Sequence, residues 1–210
     1  RETIPAWLQW LLKYLNITKP IDSFHVGFMI GPRINAGGRI GTPFDSLRML
    51  LYEGERQLEH LDKLESLNTE RKELQDTAFK IAEAQVDPTK NMVIAMGADF
   101  HEWIVGIVAG RLCERQNKPT AVFALNEEEG KAVASLRGPK YFHIVDMLRT
   151  MDHLLVRYGW HKQAWWLTCD IAKLPEIIEH MQQYCNTHIT SADMEQPIEV
   201  DTRLYDHEWT

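Results

Sequence analysis

The spacing of apolar positions changes several times along the chain, and each change predicts a different element. Residues 5–16 carry their apolar side chains at helical intervals and read as a short helix. Residues 23–30 (SFHVGFMI) are rich in the aromatic and β-branched types that strands favour, and read as a buried strand. The Gly- and Arg-rich stretch GPRINAGGRIGTP that follows reads as a structured loop. From Phe44 to about Ala84 the leucines at 47, 50, 51, 58, 61, 64 and 67 recur at threes, fours and sevens, which predicts one long connecting helix, or two in succession broken at Gly54. From Asn91 the pattern alternates. NMVIAM, PTAVFAL and KAVASLR read as strands around a helix at 102–117, and 143–156 as helix, 164–169 as strand and 173–187 as a last helix. TSADMEQ reads as a linker, and PIEVDTRL as the first strand of something further.

This alternation predicts an α/β fold: a long connecting helix followed by a compact mixed-sheet α/β domain. The chain starts at Arg1 without an initiator Met, in what reads as the lead-in to a helix, so the expectation is a piece of a longer protein.

Composition narrows the function classes. With 44% apolar residues in 210, the chain can bury one medium core plus appended pieces. A net charge of −7 excludes a uniformly basic nucleic-acid coat, but not a local basic groove, because the local field governs binding. Cys113, Cys169 and Cys185 are scattered and odd in number, which argues against a disulfide framework or zinc knuckle and for a reducing compartment. No apolar run approaches a membrane span.

Four segments carry candidate chemistry. GPRINAGGR (31–39) sets Arg33 and Arg39 among glycines and Asn35, directly before a helix. Glycine admits close backbone approach and arginine grips phosphate in a fork, although an ordinary Gly-rich turn with surface arginines has the same composition. GADFHEWIVGIVAGRL (97–112) places His101 and Glu102 at a strand-to-helix junction, with Arg111 about two helical turns on; a lone His-Glu pair is as well explained by a satisfied structural histidine. VASLRGP (133–139) puts Ser135 and Arg137 on the same side of a strand, which suits a phosphate or an exposed edge equally. RYGWHKQAWWLT (157–168) joins a Gly-containing turn to His161, Lys162 and an aromatic strand, a pattern that serves base stacking or a core.

In that order the four segments resemble the RecJ family of DHH-type phosphoesterases. GPRINAGGR matches the family's GPRLNAAGR, and His101 to Leu112 match H-x-G-V-I-G-I-V-A-S-R-L. Ser135, Arg137 and Phe142 match S-x-R followed by Phe, and Gly159 to Trp166 match G-G-H-x-x-A-(A/G)-G. The resemblance covers roughly residues 20–190. It implies the end of a DHH catalytic domain at 1–42, a connecting helix at 43–88, a DHH-associated substrate-binding domain at 89–188, and a linker with the first strand of an OB-like domain at 189–210. It further implies that Arg33, Asn35, Arg39, His101, Arg111, Ser135, Arg137 and Lys162 bind nucleic acid, that His161 faces the scissile region as the catalytic candidate, and that this segment holds no metal ligands. Two manganese or magnesium ions, held by an upstream domain, would activate water; this segment would position the strand.

The activity so implied is 5′-to-3′ exonuclease action on single-stranded DNA in repair and recombination, by a cytoplasmic monomer with no membrane association. Its partners would be single-stranded DNA and a single-strand binding protein or a helicase. Two alternatives stay open: a non-catalytic RecJ-like replication scaffold, and a DHH-type phosphoesterase for short oligonucleotides. Intact or lost metal motifs upstream separate enzyme from scaffold.

Trp103, Trp160 and Trp166 depart from family glycines, and Trp165 stands where the family tolerates Ala or Gly; Trp7 is a looser case. Such volume changes in tight turns cost about 1–3 kcal/mol each. One reading is a UGA codon that the host decodes as glycine. The other is true divergence, with the tryptophans forming a stacking platform or a rebuilt core. Peptide mass of protein from the native host separates them.

Overall fold

The computed structural model describes residues 4–18, 20–161 and 164–195, with backbone alone at Trp160 and His161. The expected strand at 197–204 and the loop residues Lys162 and Gln163 lie outside the described residues.

The N-terminal part is helical. α1 (Ala6–Tyr14), α2 (Gly31–Ile40) and α3 (Pro43–Leu51) gather on the first half of α4 (Glu55–Ala84). Leu11, Ile30, Met49, Leu61 and Leu64 form the buried cluster that joins them.

Two sequence expectations are corrected here. The run at 23–30 is not a buried strand: His25–Ile30 form a π-helical turn that continues directly into α2. Phe24 and Phe28 stack at i, i+4 with ring centroids 5.1 Å apart, and Phe28 is 71% exposed. Aromatic content satisfied the composition rule for strands, but among the described residues no strand is paired with this segment, and a lone strand leaves its backbone groups unpaired. GPRINAGGRIGTP is likewise not a loop, because its first ten residues are α2. Its glycines serve helix packing. A Cβ on Gly37 would sit 2.6 Å from Ser46 Oγ and 3.2 Å from Leu64 Cδ2. Glycine lowers helix propensity by about 1 kcal/mol, and here the close approach of α2 to α3 and α4 compensates.

Of the two readings open for 44–84, one helix or two, the structure has two, separated at Gly54. Tyr52 is extended, and Gly54 takes φ 65°, ψ −138°, a backbone conformation open to glycine alone. A Cβ there meets no atom within 4 Å, so substitution strains the backbone without a clash. Gly54→Ala should therefore cost about 1–3 kcal/mol, a fall of several degrees in Tm by scanning calorimetry. An unchanged Tm would show that the α3–α4 junction is not held in this conformation.

α4 spans 30 residues and enters two cores. Leu61 and Leu64 belong to the helical layer, whereas Ala78, Phe79 and Ala82 pack against the sheet domain. Between them its buried residues are polar, Asn68 and Arg71.

The sheet has five strands in the order β1-β2-β3-β5-β4. β1 (Val93–Gly97) and β2 (Thr120–Asn126) are parallel, linked through α5 (Val105–Gln116); β3 (Lys131–Arg137), β5 (Ala164–Asp170) and β4 (Arg157–His161) are added antiparallel. Alternation along each strand supplies two cores. Phe123, Leu136 and Leu167 face α6 (Ile144–Thr150) and α7 (Leu174–His188), while Val93, Ala95 and Val122 face α4 and α5. β4 corrects a further expectation: it is a strand where the sequence reads as a turn, and its register places Gly159 opposite Trp166. All three cysteines are free and buried, and burial pushes the Cys185 thiol up to about 12. Among the described residues no helix is long and apolar enough to cross a membrane.

Candidate nucleic-acid interface

The first turn of α5 is organised by His101. Its carbonyl accepts from the Ile104 and Val105 N–H groups at 2.8 and 3.2 Å, and its Nδ1 accepts from the Trp103 N–H at 3.3 Å. His101 is thus placed as the holder of this turn. Directly over the turn stand Ser135 and Arg137, which share the α5 side of β3. A Cβ on Gly106 would lie 3.2 Å from Arg137 Nη2 and 3.3 Å from Ser135 Oγ. Glycine at 106 is what lets both side chains settle on the helix end, where the helix dipole favours an anion.

Arg137 donates from Nη1 to the Leu136 carbonyl at 2.8 Å. Burial draws its guanidinium below the usual arginine value, opposed by Cys113 and reinforced by the charge of Arg39. It stays a cation at any physiological pH. Arg39, on the last turn of α2, donates from Nη1 to the Trp103 carbonyl at 3.1 Å and so ties α2 to the start of α5. Beside it opens a cleft of roughly 460 Å³ lined by Asn35, Arg39, Ser46 and Trp103 among others.

The remaining candidates are distributed differently. Arg33 forms an ion pair with Glu65 of α4 and donates to the Met29 carbonyl at 2.7 Å, so it joins α2 to α4. Arg111 pairs with Asp76 at 3.0 Å and lies 4.0 Å over the Phe79 ring, joining α5 to α4. His161 contributes the last backbone position of β4, opposite Ala164; its side chain, with Lys162, lies outside the described residues.

Two residues, Arg157 and Arg71, were missed by sequence reasoning, and Trp166, one of the tryptophans offered there as a stacking platform or a rebuilt core, is given a position. Trp166 pairs with Ser135 across β3–β5 and is 39% exposed, and Arg157 stacks on its ring at 5.2 Å. Their register within the sheet was invisible while β4 was read as a turn. Arg71 lies in the buried stripe of α4, seven residues after Leu64, and an arginine in a leucine phase was the signal that could have found it. Of the other tryptophans, Trp103 is 56% exposed, whereas Trp165 packs against the sheet core with its indole N–H buried and unpartnered. Among the described residues no three of His, Cys, Asp or Glu stand close enough to hold a metal ion.

Comparison with known proteins bears on this arrangement. Residues 89–187 match the DHHA1 domain family. The single-stranded-DNA-specific exonuclease RecJ of Thermus thermophilus is 31% identical over 160 residues, covering 76% of this chain and 23% of that protein. RecJ of Bacillus subtilis is 29% identical over 182 residues, covering 84% of this chain and 23% of that protein. The crystal structure of Thermus thermophilus RecJ in complex with Mg2+ superposes with a TM-score of 0.78 at 27% identity, over 88% of this chain and 29% of that one. The chain therefore spans about a quarter of the length of the curated relatives it matches.

Proposed function

The chain is a homologue of the RecJ exonucleases whose residues 89–187 form a DHHA1 domain, and on that footing we propose that it is the strand-holding part of a 5′-to-3′ single-stranded-DNA exonuclease. The observation that carries the reading is the placing of Ser135 and Arg137 over the first turn of α5 at Gly106, with Arg39 tied to the same turn. That is a hydroxyl, two fixed cations and a helix end converging on one spot, an arrangement suited to a backbone phosphate. Trp166 on the adjoining strand offers a ring on which a base can stack.

The reading extends to the whole protein as follows. Residues 1–42 close a DHH domain, 43–88 connect, 89–188 bind substrate, and 189–210 lead into an OB-like domain. The apolar side chains of Phe24, Phe28, Phe44 and Leu51, all exposed, support a further unit packed on the helical layer. Magnesium or manganese belongs to that unit. The described residues of this chain offer no fitting donor set, and its part is to bind and orient the strand. The setting is DNA repair and recombination in the cytoplasm, as a monomer, with a single-strand binding protein or a helicase as protein partner.

Fluorescence anisotropy with a labelled single-stranded oligonucleotide and its duplex tests the reading on the chain itself. The expected result is preference for the single strand, with affinity falling linearly in log[salt]. Equal binding of both, or none at low salt, would refute it.

A further inference from the structure

Between its two apolar stretches the buried stripe of α4 carries Arg71, and the surroundings of that side chain are unusual for a cation. It is 9% exposed. Nη1 donates to Gln75 Oε1 and Nη2 to Asn68 Oδ1, each at 3.0 Å, while Nε is buried without a partner. The two amide oxygens orient the guanidinium but leave its charge unneutralised. Asp76, the acid that acts on it electrostatically, is itself engaged by Arg111 at 3.0 Å. A buried charge without a counter-charge is among the costlier features a fold can keep.

The neighbouring elements place Arg71 at the candidate interface. Leu67, one turn earlier on α4, lies under Gly41, where a Cβ would be 2.8 Å from Leu67 Cδ1. Gly41 caps α2 just beyond Arg39. Asp76, just over one turn later, meets Arg111 of α5, and Glu83 meets Arg115, so α5 runs alongside α4 in the same direction. Carried back one turn, that pairing sets Arg71 level with the first turn of α5, where Ser135 and Arg137 stand. Arg71 and Arg137 also both sense the charge of Arg39, after burial in each case, and both are drawn below the usual arginine value.

We propose that Arg71, held by Asn68 and Gln75, joins Arg39 and Arg137 in a three-arginine cluster that takes one phosphate group. This deepens the strand-binding reading and rests on it only for the source of the phosphate. The fork is pre-set by the two amides, so the anion meets an oriented donor rather than a flexible one.

The test uses the chain with inorganic phosphate as probe, against chloride at matched ionic strength, read as a shift in Tm. Phosphate is expected to raise the Tm of the wild type. Arg71→Met, which replaces the buried charge by an apolar side chain of similar length, is expected to have an equal or higher starting Tm and to lose the phosphate shift. Arg71→Lys keeps the charge without the fork and is expected to retain less than half of the shift; it carries the same test should the Met variant be unfolded. A purely structural Arg71 would give the opposite signature, a lower starting Tm with the phosphate shift intact, and that result, or no shift in the wild type, overturns the proposal. A parallel titration with single-stranded oligonucleotide keeps the two readings apart. Phosphate uptake through Arg71 without strand binding leaves the cluster standing and removes the strand. Strand binding, with the shift preserved in Arg71→Met, does the reverse.

Discussion

Arg137→Gln should weaken single-strand binding by about 10- to 100-fold while leaving the fold intact. A hydrogen bond to a charged group contributes about 1.5–3 kcal/mol, and each 1.4 kcal/mol is about tenfold in affinity. Arg137 is the cation that stands with Ser135 over the first turn of α5, and within the fold it donates to the carbonyl of the residue before it. Glutamine keeps a polar side chain on the strand and removes the charge and the guanidinium fork. Loss of one phosphate contact should also flatten the slope of log K against log[salt] by about 0.7 for a single strand. Ser135→Ala removes a neutral donor at the same place and should cost less, about 0.5–1.5 kcal/mol. The slope is the sharper readout. An Arg137→Gln variant with wild-type affinity and an unchanged slope would remove Arg137 from the interface.

Phe123→Ala should lower stability by about 3–5 kcal/mol, a large share of the roughly 5–15 kcal/mol that holds a typical domain. Phe123 lies on β2, between β1 and β3, and is fully buried. It belongs to the core that includes Leu136, Met147, Leu167 and Met181, so truncation opens a cavity against both the sheet and the helices that cover it. Urea unfolding should show a lower midpoint at an unchanged slope. A loss under about 1 kcal/mol would mean that the site collapses around the deletion. The pair of substitutions separates the two faces of one sheet, with stability on the α6–α7 side and ligand affinity on the α5 side.

The elements that periodicity expresses strongly were legible. The leucine spacing of α4, the alternation of β3 and the short apolar runs of β1, β2 and β5 each reflect burial within the element, and a short window of sequence contains that whole signal. The sequence left open one helix or two at Gly54, and the structure decides for two, with Gly54 in a conformation suited to glycine. α2 was not legible. Its glycines resembled loop composition, and the reason for them, Ser46 and Leu64 pressing against Gly37, lies on other helices. β4 failed for a related reason: RYGWH shows no alternation strong enough to stand alone, and its strand character comes from pairing with β5.

The same division runs through the interface. By itself the sequence determined the order of the four motifs and the shared face of Ser135 and Arg137, because strand alternation is a local property; that Gly106 makes room beside them was decided by the packing of α5 on β3. Tertiary structure alone decided which arginines are already engaged. Arg33 is taken by Glu65 and Arg111 by Asp76, whereas Arg39, Arg71 and Arg137 hydrogen-bond only to carbonyl and amide oxygens and have no acidic ion-pair partner among the described residues. A charge is neutralised or left available by what lies within a few ångströms of it, and here those neighbours come from residues more than thirty positions away in the chain.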